Sequence, residues 1–177
     1  MTQKRMVRIK AKPIFRLRWL LLLAATMVVA ACAVKDIEIK TSLEIDAPPE
    51  TVWEILTRFD EYGAWNPYHT AVLGDLAPNE PIDIHVVRPD GKALVVHAVI
   101  QQVSPNRQLV WGGGIPIIFE GMHVFKLTPT TGGGTLLEQN ETFSGVIIPF
   151  LDLPPDVIEQ GYRSVNEAVR QRASELR

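Results

Sequence analysis

The chain has 177 residues and a formal net charge of −2 at pH 7, but this charge is unevenly distributed. The residues before Cys32 carry only basic charges, whereas from Cys32 onward 11 lysines and arginines face 20 aspartates and glutamates, a net charge of −9. Such an acidic segment argues against a nucleic-acid partner, whose phosphates require a basic surface. The 146 residues from Cys32 onward suffice for one domain with its own core and are too few for two.

The N-terminal segment is predicted to be an export signal. A basic leader is followed by an apolar run of 13 residues over 19–31, shorter than the roughly 20 residues that span a bilayer, and the run ends in small residues as secretory signals do. It leads directly into Cys32, the only cysteine of the chain, and Val29-Ala30-Ala31-Cys32 resembles the lipobox of bacterial lipoproteins. We therefore predict a lipoprotein signal peptide over 1–31, a lipid on Cys32 and a short tether over 32–36.

The alternative for this segment is an uncleaved signal anchor with an ordinary buried cysteine, which the long basic leader of 18 residues before Trp19 leaves open. With lipidation, the expected location is the bacterial cell envelope. In lipoproteins of this type an Ala at position 33, rather than Asp, implies the periplasmic side of an outer membrane where there is one. A domain without a second cysteine has no internal disulfide. No heptad pattern predicts a coiled-coil partner, so a monomer is the default and the oligomeric state stays open.

The first elements of the domain follow from residue periodicity. Apolar and polar residues alternate from Ile37 to Ile45, which predicts a half-buried strand. Asp46 is the predicted N-cap of the next element, and Pro48-Pro49 fit the start of a helix. Apolar residues at helical spacing over 52–59 predict an amphipathic helix of about three turns.

Several strand-like segments then follow, separated by turn residues. They cover 81–87, 93–103, 107–112, 119–127 and 135–143. Apolar residues recur every three to five positions from Val157 to Leu176 and predict a long C-terminal helix. Helices segregated from a run of strands indicate an α+β fold with an antiparallel sheet. The glycine runs 112–114 and 132–134 are predicted to be loops, and neither has the spacing of a phosphate-binding loop.

Several segments of the domain carry motifs of a known superfamily, at 44–53, Phe59, 65–67, 109–111, 120–125 and 134–145. These segments resemble START-like (SRPBCC) helix-grip domains, most closely the polyketide cyclase/dehydrase-like branch, over residues 37–177. The resemblance implies a curved seven-stranded antiparallel sheet wrapped around a long C-terminal helix, with an apolar cavity. Members bind lipids, sterols, polyketides or other hydrophobic molecules; a minority catalyse cyclisation or dehydration, and some act on partner proteins.

The cavity residues are predicted from strand parity and from the aromatic residues near the strand ends. If the inward faces of two strands line the cavity, His123, Gln139 and Glu141 are polar groups in an apolar pocket, which orient a ligand or serve acid–base chemistry. The alternative is that His123 and Glu141 bond to each other or to backbone and only satisfy the interior. The predicted cavity set is Trp65, Tyr68, Trp111, His123, Phe125, Gln139, Glu141 and Phe143.

Three functional hypotheses follow, and the first is preferred. The domain is a binding module that holds a hydrophobic small molecule or lipid at an envelope membrane, with 112–116 and 149–155 as portal elements. Alternatively, it is a cyclase- or dehydratase-like enzyme that uses His123 and Glu141 as acid and base, or an envelope protein-interaction factor with a filled interior. No cofactor is expected. No metal is expected either, because the four histidines lack paired ligand spacing, and no nucleophile motif is present.

Overall fold

Residues 35–176 are described by a computed structural model, and the predictions for the signal peptide and Cys32 lie outside this range. Seven antiparallel strands form one sheet in the order β1-β7-β6-β5-β4-β3-β2. The strands are β1 (Ile37–Ile45), β2 (His69–Leu73), β3 (Pro81–Val87), β4 (Ala93–Ser104), β5 (Gln108–Ile115), β6 (Phe119–Pro129) and β7 (Thr135–Ser144).

Three α-helices accompany the sheet. They are α1 (Pro49–Thr57), α2 (Tyr62–Trp65) and α3 (Pro155–Glu175), and 3-10 turns cover Phe59–Glu61 and Ile148–Phe150. Among residues 35–176, no helix combines the length and the apolar character needed to cross a membrane. The buried residues of α3 face the sheet: Ile158, Gly161, Tyr162, Val165, Asn166, Val169 and Ala173. This arrangement confirms the predicted α+β helix-grip fold, in which a curled antiparallel sheet holds the C-terminal helix.

The start of α1 differs from its prediction. Pro48, not Asp46, is the N-cap residue, and Pro49 lies at the first helical position. A proline is suited to that position because its missing N–H would have no partner inside the helix and its fixed φ is already helical. The helix also ends before Phe59, which begins the 3-10 turn.

Two features of the sheet differ from the prediction. β2 is absent from the predicted strands, because it has only five residues and a register irregularity between His69 and Ala71, so its alternation is too short to stand out in the sequence. The run 112–114, predicted to be a loop, belongs to β5. At Gly112 and Gly114 the close approach of β6 excludes a side chain: a β-carbon on Gly114, whose φ is 134°, would lie 2.0 Å from the Phe119 carbonyl oxygen.

The register defines the two ends of the sheet. Ile37 pairs with Phe143, Phe143 with Gly121, and Gly121 with Gly113. The start of β1, the β5–β6 turn and the end of β7 therefore lie at one end, which we call the open end. The β6–β7 turn, which begins after Pro129, lies at the opposite end, where Pro129 pairs with Thr135.

Candidate functional site

A cavity of about 420 Å³ lies between the sheet and α3, towards the open end. Its volume falls within the range of small-molecule sites, which is about 300–1,000 Å³. Most of its wall is apolar and includes Ile84, Val86 and Ile158. The side chains that introduce polar atoms into the wall include His69, Arg88, His123, Glu141 and Tyr162.

Glu141 is the centre of a buried polar cluster in this wall. Its Oε2 atom lies 2.7 Å from Nδ1 of His123 and accepts a 3.0 Å hydrogen bond from the Tyr162 hydroxyl. An ionised carboxylate only accepts hydrogen bonds, so Nδ1 of His123 carries the donated proton. The other ring nitrogen of His123 lies 3.3 Å from the Gln139 side-chain nitrogen, which donates to it. Both nitrogens of His123 are thus engaged inside the protein.

Aromatic rings hold His123 in place. Trp111 stacks on the imidazole with the ring centroids 5.2 Å apart and an interplanar angle of 18°. Phe125 and Tyr162 meet the imidazole edge-on at 4.6 and 4.9 Å. With only 2% of its surface exposed, His123 has one packed orientation. The register contributes as well, because His123 and Glu141 are direct cross-strand partners on β6 and β7.

His69 is a second buried histidine of the cavity wall. Its ring lies 5.5 Å from that of His123, and its Nδ1 atom has no hydrogen-bond partner among the described residues. Burial, together with the neighbouring His123, lowers the pKa of His69 well below its usual value. Burial raises the pKa of Tyr162 well above its usual value, and the Glu141 charge adds to this effect. At neutral pH His69 is therefore uncharged and Tyr162 is protonated.

The turn before β2 positions His69. Asn66 Oδ1 accepts hydrogen bonds from the backbone N–H groups of Tyr68 and His69, at 3.0 and 2.8 Å. This side-chain bridge fixes the chain after α2 and directs the His69 ring into the interior. Within residues 35–176 there is no group of three or more His, Cys, Asp or Glu side chains that could hold a metal ion.

The comparison with family models identifies the domain. A model described as polyketide cyclase / dehydrase and lipid transport matches residues 36–174. The chain belongs to this family. No curated protein matches the sequence.

Solved structures share the fold at low sequence identity. A START superfamily protein from Mycobacterium smegmatis is 19% identical, with 79% of this chain and 99% of that chain covered and a TM-score of 0.61. A protein of unknown function from Staphylococcus aureus is 14% identical over 80% of this chain and 95% of that one, with a TM-score of 0.61. The di-domain ARO/CYC StfQ from the steffimycin biosynthetic pathway is 16% identical, with 93% of this chain but only 62% of that chain covered and a TM-score of 0.62. At these identities the likeness shows the fold alone.

Five of the eight predicted cavity residues lie in the cavity wall. These are Tyr68, Trp111, His123, Glu141 and Phe143. Phe125 and Gln139 are buried behind the wall against His123. Trp65 lies on α2, where its ring packs on Tyr62 at 5.0 Å, and it does not line the cavity.

Five polar or charged wall residues were not among the predicted cavity residues: His69, Arg88, His97, Asp152 and Tyr162. For Tyr162 a signal existed, because it lies on the apolar face of the predicted C-terminal helix, which the helix-grip fold turns towards the sheet. His69 and Arg88 gave no comparable signal, since each is a lone polar residue at the end of a strand.

Arg88 belongs to an ion-pair cluster at the cavity mouth. Its side chain is 6% exposed, and its guanidinium bonds to the Asp90 carboxylate and lies 3.1 Å from both the carbonyl oxygen and Oδ2 of Asp152. Lys92 contacts the same Asp152 Oδ2 at 2.6 Å. The hydrogen bonds from Lys92 and Arg88 lower the pKa of Asp152. We call this cluster of Arg88, Asp90, Lys92 and Asp152 the mouth clasp, because it ties the β3–β4 hairpin to the segment before α3.

Proposed function

We propose that this chain binds a hydrophobic small molecule or lipid in its internal cavity while a lipid on Cys32 holds it at the bacterial envelope membrane. The observation that carries the proposal is an apolar cavity of about 420 Å³ whose polar wall cluster is already paired internally. A general acid or base must be free to reach the substrate proton. His123 has both ring nitrogens engaged, so binding fits this geometry better than proton transfer.

The cavity wall suggests what the ligand looks like. Apolar side chains such as Ile84, Val86 and Ile158 suit a hydrocarbon body. The uncharged His69 imidazole suits a single hydroxyl or carbonyl of the ligand, and the Tyr162 hydroxyl, which donates its proton to Glu141, can accept a hydrogen bond from a ligand hydroxyl. A strongly charged ligand is disfavoured, because burying an unpaired charge costs far more than burying a paired neutral group.

The anchoring part of the proposal rests on the sequence. The apolar run 19–31 ends at Cys32, the only cysteine. Several acyl chains give stable membrane attachment where one gives only marginal attachment. A tethered carrier also samples the bilayer at high effective concentration, which suits a ligand that has a very low free concentration in water.

A second candidate is a cyclase- or dehydratase-like enzyme, favoured by the Glu141–His123 pair at 2.7 Å inside a cavity. A carboxylate that orients an imidazole is a common arrangement for acid–base catalysis. Replacement of Glu141 by Gln separates the two functions. If the chain is an enzyme, E141Q abolishes turnover and spares ligand affinity; if it is a carrier, no turnover exists to lose.

Native mass spectrometry with lipid extraction, on the full chain purified from envelope membranes, tests the main proposal. We expect a stoichiometric apolar molecule in the wild-type chain and in A64F, where Ala64 is exposed on α2, but not in A98F, where the ring enters the cavity. Acylation of Cys32 is read from the mass of the N-terminal peptide. A wild-type chain that is empty and takes up neither lipids nor polycyclic probes would overturn the carrier function.

A further inference from the structure

The open end of the sheet carries a group of exposed apolar side chains that we call the apolar rim, defined as Ile115, Ile117, Ile118, Phe150 and Leu151. Phe150 is 86% exposed, Ile117 75% and Ile115 61%. Single exposed apolar residues are ordinary on protein surfaces, but contiguous patches mark contact with a partner or a membrane. Five large apolar side chains on two neighbouring segments form such a patch.

Backbone hydrogen bonds hold these two segments together. The N–H groups of Val146 and Ile147 donate to the carbonyl oxygens of Ile117 and Ile118, at 2.9 and 3.2 Å. Ile117 has a φ of 72°, a conformation that is a true outlier for a β-branched residue. Strain of this kind persists where the surrounding structure enforces it, and it concentrates at functional sites. The rim thus displays Ile117 to solvent in a strained but fixed turn.

The rim borders the cavity mouth. Gly114 and Phe119, which flank the rim turn, line the cavity, and so does Leu153, which follows the Phe150–Leu151 segment. On the facing strand β4, residues 94–96 are exposed and also line the cavity. An apolar molecule that leaves the cavity here meets apolar side chains first.

The domain also begins at this end. Ile37 lies two strands from Gly121 in the register, about 10 Å at the usual strand spacing. The five residue-to-residue steps from Cys32 to Ile37 can span at most about 18 Å. A lipid on Cys32 would therefore hold the open end, and not the opposite end, close to the membrane surface.

We propose that the apolar rim docks on the lipid bilayer, with Ile117 and Phe150 in the interface and the cavity mouth opening onto it. This inference rests on the proposed anchoring and adds the surface and orientation of contact. The driving force is the burial of apolar area, because the net charge of −9 from Cys32 onward gives no general attraction to anionic lipids. Docking is consequently insensitive to salt, which screens exposed charges but not apolar burial.

The test uses the full chain reconstituted into phosphatidylcholine vesicles that contain nitroxide-labelled lipids. A fluorophore is attached in turn to I117C, to F150C and to T131C, the last at an exposed position in the β6–β7 turn of the opposite end. An acylated Cys32 has no free thiol and does not react with the label. Labelling of the wild-type chain measures any remaining reaction at Cys32. We expect the lipid nitroxide to quench both rim labels several-fold more strongly than the Thr131 label, equally at roughly 0.1 M and 1 M NaCl.

Three results distinguish a failure of the docking proposal from a failure of the proposed lipid anchoring. Rim labels that are quenched by aqueous iodide but not by lipid overturn docking, even if the N-terminal peptide is acylated and the anchoring holds. Rim labels shielded from both quenchers also overturn it, because a second copy of the chain then covers the rim. An N-terminal peptide without acyl groups refutes the proposed lipidation, while the quenching pattern still decides the docking.

A functional readout completes the test. The double variant I117K/F150K places charges on two exposed side chains and leaves the cavity wall unchanged. We expect several-fold slower transfer of an apolar fluorescent probe from protein to vesicles, with unchanged probe occupancy. T131K is the matched control and should transfer at the wild-type rate. If the double variant transferred the probe at the wild-type rate, docking through the rim would be contradicted.

Discussion

Gly161 of α3 lies so close to the ring of Tyr68 that no side chain fits between them. A β-carbon built on Gly161 would lie 2.2 Å from Tyr68 Cδ2 and 2.3 Å from its Cε2. The same Tyr68 ring meets Tyr162 edge-on, with the centroids 5.3 Å apart, and both tyrosines line the cavity. The absence of a side chain at position 161 is therefore what lets the long helix approach this part of the cavity wall.

Replacement of Gly161 by Ala is expected to lower the free energy of unfolding by about 1 kcal/mol. Alanine is favoured over glycine inside a helix by about 1 kcal/mol, but overpacking a buried site costs about 1–3 kcal/mol, and the packed Tyr68 ring must move. Urea denaturation measures the difference. G132A is the control, because a β-carbon there meets nothing within 4 Å. A G161A variant as stable as the wild type would mean that Tyr68 relocates freely.

The buried His69 should make folding sensitive to mild acid. Its pKa is lowered in the folded chain, so the unfolded chain binds more protons and stability falls as the pH drops through the unfolded value near 6.5. Between pH 7.5 and 5.5 this single group should remove on the order of 1 kcal/mol. Chemical denaturation of the wild type and of H69F at both pH values measures the effect, which H69F should lack.

The control for the His69 prediction is V52A. Val52 is a fully buried residue of α1, and its truncation lowers stability without removing a titratable group. V52A should keep the wild-type dependence on pH. An H69F variant with the same dependence as the wild type would show that other groups are responsible.

The mouth clasp should control the rate at which ligand leaves the cavity. R88A removes the guanidinium that bonds both Asp90 and Asp152, so that of these contacts only the exposed Lys92–Asp152 pair still links the β3–β4 hairpin to the segment before α3. We expect several-fold faster release of a bound apolar probe and faster hydrogen exchange over 88–92 and 149–155. R163A removes an exposed ion pair with Glu159 on α3 and should change neither rate. Unchanged release in R88A would indicate another exit.

Two tyrosine hydroxyls allow a comparison of buried hydrogen bonds. Tyr162 donates to the Glu141 carboxylate at 3.0 Å, whereas Tyr62 donates to the Leu56 carbonyl at 2.6 Å. Bonds to charged groups contribute about 1.5–3 kcal/mol and neutral bonds about 1 kcal/mol. Y162F should therefore destabilise the protein more than Y62F in urea denaturation. The reverse order would argue that the Tyr162–Glu141 hydrogen bond contributes less than the neutral bond from Tyr62 to Leu56.

Elements with a regular pattern were predictable from local sequence. β1 has the predicted bounds, Ile37–Ile45, because one of its faces is buried and the other is solvated. The same reasoning located β3 and most of α3. The pattern is weaker where structure depends on a neighbouring strand. The glycines of β5 predict a loop when they are considered alone, and they form a strand because they pair with β6.

The sequence by itself determined the α+β class, the order of most elements and the shared strand faces of His123 and Glu141, because these depend on the period of side chains along a strand or helix. Only the tertiary structure decided what those side chains meet. The strand register sets His123 directly opposite Glu141, α3 brings the Tyr162 hydroxyl, and the short β2 brings His69. These partners come from segments distant in sequence, and only the closure of the sheet around α3 makes them neighbours.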